Sequence, residues 1–406
     1  MIPSMNAMPE IELVAGADLN PAMRDGFTQR FPGVRAYATV EELCRDADVE
    51  AVYVGTPNRF HCPHAIEAMR NGKHVIVEKP MAITLDEADR MVEAAAANGV
   101  KLLAGHTRSY SLWTRAMRKI VQSGDVGPVR AIHIWAYTDW MLRPRTADEL
   151  DPLQGGGIPF RQGPHQIDTV RLLGGGLVRS VRAMVGQWMP ERPVAGYYTA
   201  YLEFENGVPA TIMHNGYGYF SMNELYPWVA SRRSNSDADR VAMRNALRDG
   251  SIDEGREKEA FRIGGSGDPT KLAGSGGAQD WSPFDLGPVE LTCERGVIRN
   301  VQHGLAVYAD DGRHDVSLEH LWRPEPDPSG GLSIAVLEEL HGAVVRGRPV
   351  YHGGEWGRAT LEVVLAMLES ARERREVQLS RQVAMPADYD AELNVSIEAD
   401  ASRKRE

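Results

Sequence analysis

Residues 75–80 read Val-Ile-Val-Glu-Lys-Pro, and this stretch constrains the fold more than any other. A short run of β-branched residues between polar boundaries fits a strand buried on both faces, as in a parallel sheet with helices on each side. Thr84-Leu85-Asp86-Glu87 follows and reads as a capping box. There the threonine oxygen and the glutamate carboxylate satisfy the first free amides of a helix. Open parallel sheets bind ligands at the carboxyl ends of their strands. Lys79 is therefore expected at the rim of a cleft, on backbone restricted by Pro80. From the local pattern alone, a solvated lysine in a strand-to-helix loop reads equally well.

The same unit recurs through the first hundred residues. Ile11–Ala17 reads as a strand closed by Asp18, and Pro21–Arg30 as a helix. Val34–Tyr37 reads as a short strand, with Thr39 as the N-cap of the next helix. Ala51–Val54 is a strand that runs into the loop Gly55-Thr56-Pro57-Asn58, and a helix spans about Cys62–Asn71. The helix capped by Thr84 runs to Asn98, where Gly99 suits the left-handed terminal position, and Val100–Ala104 is a further strand. Repeated strand–helix–strand units predict a parallel sheet with right-handed crossovers. Asp18 has the chemistry to accept hydrogen bonds from an adenosine ribose, which favours NAD over NADP because a 2′-phosphate would be repelled. A G-x-G-x-x-G loop, which would cradle a pyrophosphate, occurs nowhere in the chain. Its natural place is upstream of Met1, because Met1–Pro9 reads as the tail of a helix. Residues 1–105 are accordingly read as a dinucleotide-binding Rossmann domain lacking its first strand and glycine-rich loop.

The pattern changes after residue 105. Trp113–Gln122 is a helix, and Val129–Tyr137 alternates as an antiparallel strand with one covered face does. The loop Asp139–Pro152 carries Trp140, Arg143 and Arg145. Gly155-Gly156-Gly157 leads to a helix with Pro164 in its first turn, followed by His165 and Asp168. Strands are expected at 181–187, 197–204, 210–214, 289–293 and 296–299, and helices at 332–346 and 356–373. Residues 222–285 are rich in Gly, Ser, Asp and Arg and read as a partly mobile insertion. Residues 106–384 are thus expected to form an α/β domain for substrate binding and oligomerisation, built on a large, open-faced, mainly antiparallel sheet. The charged stretch 385–406 is expected to be a disordered tail.

A formal net charge of −11 argues against nucleic acid and anionic membrane as partners, but not against a small anion that feels the local field. Three scattered cysteines form no CxxC pair, which fits a reducing compartment. No signal peptide or membrane-spanning stretch is visible, so a cytoplasmic location is expected. His61 and His64 lie close together without a convergent Cys/His/carboxylate set, so no metal site is expected.

Thr56-Pro57-Asn58 with His61, Glu78-Lys79-Pro80, the glycine run leading to Gly163-Pro164-His165 with Asp168, and the C-terminal helix occur in this order. Together they resemble the Gfo/Idh/MocA family of NAD(P)-dependent oxidoreductases. The resemblance implies that Thr56, Pro57, Asn58, His61 and Glu78 line the nicotinamide end of the cofactor. It implies that Lys79 faces both nicotinamide and substrate, that His165 is the proton acceptor or its close partner, and that the protein is a homodimer or homotetramer. Arg161 departs from the family pattern, which commonly has an Asp four residues before this histidine. Arginine cannot act as a base but can grip a carboxylate through two parallel hydrogen bonds. With Arg143, Arg145 and Trp140 on the preceding loop, the pocket is expected to hold a small anionic substrate; pairing of Arg161 with a structural acid is the bland alternative. Arg161, the residues around His165 and the Glu294-Arg295-Gly296 turn resemble the branch of the family that oxidises carboxylated cis-dihydrodiols of the phthalate type.

In that frame a CH–OH carbon gives up hydride while His165, assisted by Lys79, takes the hydroxyl proton. A helix N-terminus and Arg161 both keep the imidazole neutral, as a general base requires. Asp168 would orient the ring or complement the helix dipole. Two other readings are an NAD-dependent sugar or cyclitol dehydrogenase and, with the glycine loop absent, a non-catalytic ligand-binding subunit.

Overall fold

A computed structural model describes residues 1–105, 108–225, 236–260, 287–321 and 332–397. The N-terminal part runs α1 (Ile2–Ala7), β1 (Ala15–Ala17), α2 (Pro21–Arg30), β2 (Arg35–Tyr37), α3 (Val40–Arg45), β3 (Ala51–Val54), α4 (His61–Arg70), β4 (His74–Val77), α5 (Leu85–Asn98) and β5 (Leu102–Ala104). Strands β3, β4 and β5 pair in parallel, with Val75, Ile76 and Val77 of β4 at most 2% exposed. Their β-branched side chains have to be sheltered on both faces, which explains β4's central position. The Thr39 and Thr84 capping boxes both form, and Gly99 closes α5 at φ +65°. Strand β1 is shorter than the expected 11–17; it pairs in parallel with β2, and no ladder joins that pair to β3 among the described residues.

The remainder continues with α6 (Leu112–Ser123), β6 (Val129–Tyr137), α7 (Ile158–Arg161), α8 (Gly163–Gly174), β7 (Val178–Gly186), β8 (Tyr197–Phe204) and β9 (Pro209–Asn215). Then come α9 (Asp237–Asp249), α10 (Glu254–Ala260), β10 (Val289–Cys293), β11 (Gly296–Val301), β12 (Gly304–Ala309), β13 (Gly312–Ser317), α11 (Leu332–Val345), α12 (Gly354–Glu373) and β14 (Val377–Gln378). Among the described residues one sheet takes the order β13-β12-β11-β10-β6-β9-β8-β7-β14. Every pairing is antiparallel except β6 with β9, so β6 is not the purely antiparallel strand its alternation suggested. The chain leaves β6 through α7 and α8, and the β7–β8 hairpin then returns β9 beside β6 in the same direction. Alternation reports one covered face and not the direction of the neighbour. Helices α6, α8 and α12 cover one face, while Met184, Trp188 and Tyr201 stay exposed.

Residues 385–397 do not form a disordered tail. Asp390 is fully buried and accepts from Arg115 Nε at 2.7 Å and Arg118 Nη1 at 2.6 Å on α6. Met385, Tyr389, Leu393 and Val395 are buried with it, too widely spaced to show a period in the sequence. Within the insertion, α9 and α10 are described, whereas 226–235 and 261–286, with both glycine runs, lie outside the described residues.

Candidate active site

Strand β4 delivers Glu78 and Lys79 at its carboxyl end, with Pro80 joined through a cis peptide bond. Lys79 is half-buried, and its Nζ donates to the carbonyl oxygen of Arg161 at 2.8 Å. Arg161 ends α7, and half-buried His165 stands in the first turn of α8. One hydrogen bond therefore ties the end of the parallel sheet to backbone one helical turn ahead of the imidazole. Asn58 Nδ2 donates to Gly155 O at 3.2 Å, and Arg59 Nη1 to Gln154 Oε1 at 3.0 Å, along the same seam. The glycine run permits this approach: a Cβ on Gly156 would lie 2.6 Å from Glu149 O, and Gly155 and Gly157 adopt φ of +73° and +86°.

Burial is the main reason that the Lys79 ammonium falls to a pKa of about 8. Arg161, Arg108 and Arg145 push the same way, while Glu78 opposes them. Glu78 is itself held by Tyr53 Oη at 2.5 Å and by the Lys79 amide at 3.0 Å.

The loop residues divide into two groups. His61 is 1% exposed; its Nδ1 lies 2.8 Å from Pro80 O and its Nε2 2.8 Å from Thr56 O. It clamps the loops after β3 and β4 together from inside and does not line a cleft. Desolvation lowers its pKa. Asn58, 2% exposed, is likewise turned into the seam. Thr56 Oγ1 lies 3.3 Å from His64 Nδ1, and Thr56 and Pro57 remain partly exposed at the rim. Asp18 is exposed at the end of β1, with Oδ1 accepting from Asn20 N at 2.8 Å.

The arginine loop is more tightly organised than its sequence indicated. Trp140, 3% exposed, lies beneath Arg145, whose guanidinium carbon sits 3.6 Å from the ring centroid. Trp140 therefore reaches the site only as the floor under Arg145. Arg145 Nη1 donates to Glu149 Oε1 at 3.2 Å, and burial lowers its pKa to about 10. Arg143 turns aside to Asp139 at 2.7 Å, with about half its side chain in solvent. Arg161 Nη2 pairs with Asp148 at 3.1 Å, the structural acid of the bland alternative, while its buried Nε has no partner among the described residues. Asp168 does not orient His165. It is fully buried and accepts from Ser109 N at 2.8 Å and Trp356 Nε1 at 2.7 Å, pinning α8 to α12.

A model of an oxidoreductase family with an NAD-binding Rossmann fold matches residues 1–106, and a Gfo/Idh/MocA C-terminal domain model matches residues 114–221. The chain is 33% identical over 387 residues to 1-carboxy-3-chloro-3,4-dihydroxycyclohexa-1,5-diene dehydrogenase of Comamonas testosteroni, across 92% of this chain and 91% of that one. The chain belongs to the Gfo/Idh/MocA family. A crystal structure of a Bordetella bronchiseptica RB50 protein superposes with a TM-score of 0.82 at 36% identity, covering 93% of this chain and 96% of that one. Levoglucosan dehydrogenase in complex with NADH and levoglucosan shares the fold, with a TM-score of 0.69 at 18% identity, covering 93% and 95%.

As a Gfo/Idh/MocA protein, the chain is an NAD(P)-dependent dehydrogenase acting on CH–OH donors. The donor set at the strand ends fits NAD: an exposed carboxylate after β1, a hydroxyl after β3, and a carboxylate with an ammonium after β4. Among the described residues no group of three or more His, Cys, Asp or Glu is placed to hold a metal ion, and no helix is long and apolar enough to cross a membrane. Sequence reasoning missed Asp148, Glu149, Arg192, Glu254 and Lys258. Only Glu149 carried a local signal, as the last residue of the capping box Thr146-Ala147-Asp148-Glu149.

Proposed function

We propose that this enzyme oxidises the CH–OH carbon of a carboxylated cis-dihydrodiol of the phthalate type. The observation that carries the reading is Arg161: a mostly buried guanidinium, one turn from His165, paired to Asp148 through Nη2, with an Nε that has no partner among the described residues and a backbone carbonyl that holds Lys79. A buried cation with a spare N–H beside the reacting groups calls for an anion, and guanidinium matches carboxylate geometry. The carboxylated ring diene named for the Comamonas testosteroni relative supports the same choice.

NAD, when bound along Asp18, Thr56, Pro57 and Glu78, supplies the hydride-accepting ring. His165 and Lys79 receive the proton of the substrate hydroxyl, and the fall of Lys79 to about 8 leaves a useful share of free amine near neutrality. Arg161 exchanges Asp148 for a ring carboxylate and so sets which ring carbon faces the two proton acceptors. The hydroxyenone left after hydride and proton are removed tautomerises to a catechol, and recovered aromaticity drives the step. The exposed sheet face around Trp188 and Tyr201 is where we place the contact between copies of the chain.

The test compares turnover, followed by NADH absorbance, on a carboxylated cis-dihydrodiol and on neutral polyols such as inositol. Turnover of the diol with little activity on polyols is expected; the reverse preference refutes the reading. Asp148→Asn is expected to lower KM for the carboxylated diol about three- to tenfold, because Arg161 no longer has to give up a charged partner.

A further inference from the structure

Among the described residues, three cations around the arginine loop each have a carboxylate of their own, and two share one. Arg143 has Asp139, Arg161 has Asp148, and fully buried Arg192 has Glu254 of α10 at 2.7 Å. Arg145 and Lys258 share a single carboxylate, that of Glu149. Arg145 takes Oε1 and Lys258 takes Oε2, which also accepts from Thr146 N at 2.9 Å and Thr146 Oγ1 at 3.1 Å. Glu149 is thus fully engaged. The side chains of Arg145 and Glu149 are only 9% and 8% exposed, whereas Lys258 keeps 32%. Two cations on one sheltered carboxylate leave each only half of it, and Lys258 is the more exposed of the two and so the better placed to meet a further anion.

The placement of α10 is specific. Glu254 accepts from the Arg145 amide at 2.7 Å and holds Arg192, whose Nε and Nη2 in turn bind Met141 O at 2.9 Å and Arg143 O at 3.1 Å. The insertion helix is therefore bolted to the backbone of the loop that carries the arginines. Lys258 lies one helical turn after Glu254. It feels the charges of both Arg145 and Arg161, and Arg161 and Arg145 also act on Lys79.

We propose that Lys258, carried by the insertion helix α10, is a specificity-determining residue that binds a substrate carboxylate together with Arg145, while Glu254 positions it. This deepens the reading above, since the anion is the proposed substrate's own carboxylate. Arg161 and Lys258 then address separate carboxylates, and residues 254–258 become part of the pocket wall.

The experiment measures binding to the full chain by calorimetry, with phthalate as the anionic probe and catechol as the uncharged one, in the parent, Lys258→Met and Lys258→Arg. In Lys258→Met, phthalate is expected to bind about tenfold more weakly and catechol unchanged; Lys258→Arg stays within about threefold of the parent. Unchanged phthalate affinity in Lys258→Met overturns the proposal. So does an equal loss for catechol, which reports a damaged pocket, or a parent that binds no phthalate. Turnover of the carboxylated diol is read separately. A parent that binds phthalate through Lys258 but leaves the diol untouched refutes the proposed reaction and keeps the anion site.

Discussion

The depressed ammonium of Lys79 makes the most quantitative prediction. Burial, with Arg161, Arg108 and Arg145, moves it from 10.5 to about 8. At pH 7 about one side chain in ten then carries the free amine, against about one in three thousand at the ordinary value, a gain of about 300-fold in competent base. The shift corresponds to about 3 kcal/mol between the two protonation states. Activity that needs the free amine rises with pH and levels off above about 8. The profile of kcat/KM against pH, measured with NAD+ and the diol, is expected to show that limb. Arg161→Met removes one of these three cations and moves the limb upward, toward 10.5. Lys79→Met abolishes the limb and lowers kcat about a hundred- to ten-thousandfold. The folded chain gives up this proton before the unfolded chain does, so the contribution of Lys79 to stability increases with pH between about 8 and 10.5. Turnover by Lys79→Met equal to the parent's would refute the assignment. A limb that survives in Lys79→Met and disappears in His165→Gln would transfer the base role to the imidazole.

Three further substitutions check the frame around the site. Asp168→Ala leaves Ser109 N and Trp356 Nε1 without an acceptor; a loss of about 2–4 kcal/mol in urea unfolding is expected with the pH limb of kcat/KM unmoved, and a moved limb at full stability would restore a role in orienting His165. Asp390→Ala strands Arg115 and Arg118 and is expected to cost about 3–5 kcal/mol, with limited proteolysis now cutting within residues 385–397. Gly156→Ala places a Cβ against Glu149 O and Asp151 O, at 2.6 and 2.7 Å; a loss of about 1–3 kcal/mol in thermal unfolding is expected, with a raised KM because the same backbone carries Glu149.

The sequence by itself determined the elements whose signal is local. Val75–Val77 had to be a sheltered strand, Thr39 and Thr84 had to cap helices, and Gly99 had to close one, because β-branching, capping and left-handed backbone act within a few residues. Lys79 at a strand end followed from the same local logic. What those patterns do not carry is the partner of a charged side chain. Arg143, Arg145 and Arg161 were all expected to face an anionic substrate, but the fold gives the first to Asp139 and solvent, the second to Trp140 and Glu149, and the third to Asp148 with a spare Nε among the described residues. His61 and Asn58 looked like cleft residues and became clamps, because both point into the seam between loops distant in sequence. Lys258 lies in a stretch whose composition read as a partly mobile insertion. It joins the site only because Glu254 and Arg192 fasten α10 to the arginine loop. Short-range sterics are written in neighbouring residues; the bonds that fasten α10 to the arginine loop and to Arg192 join residues 109 and 62 apart, which only the folded chain brings within reach.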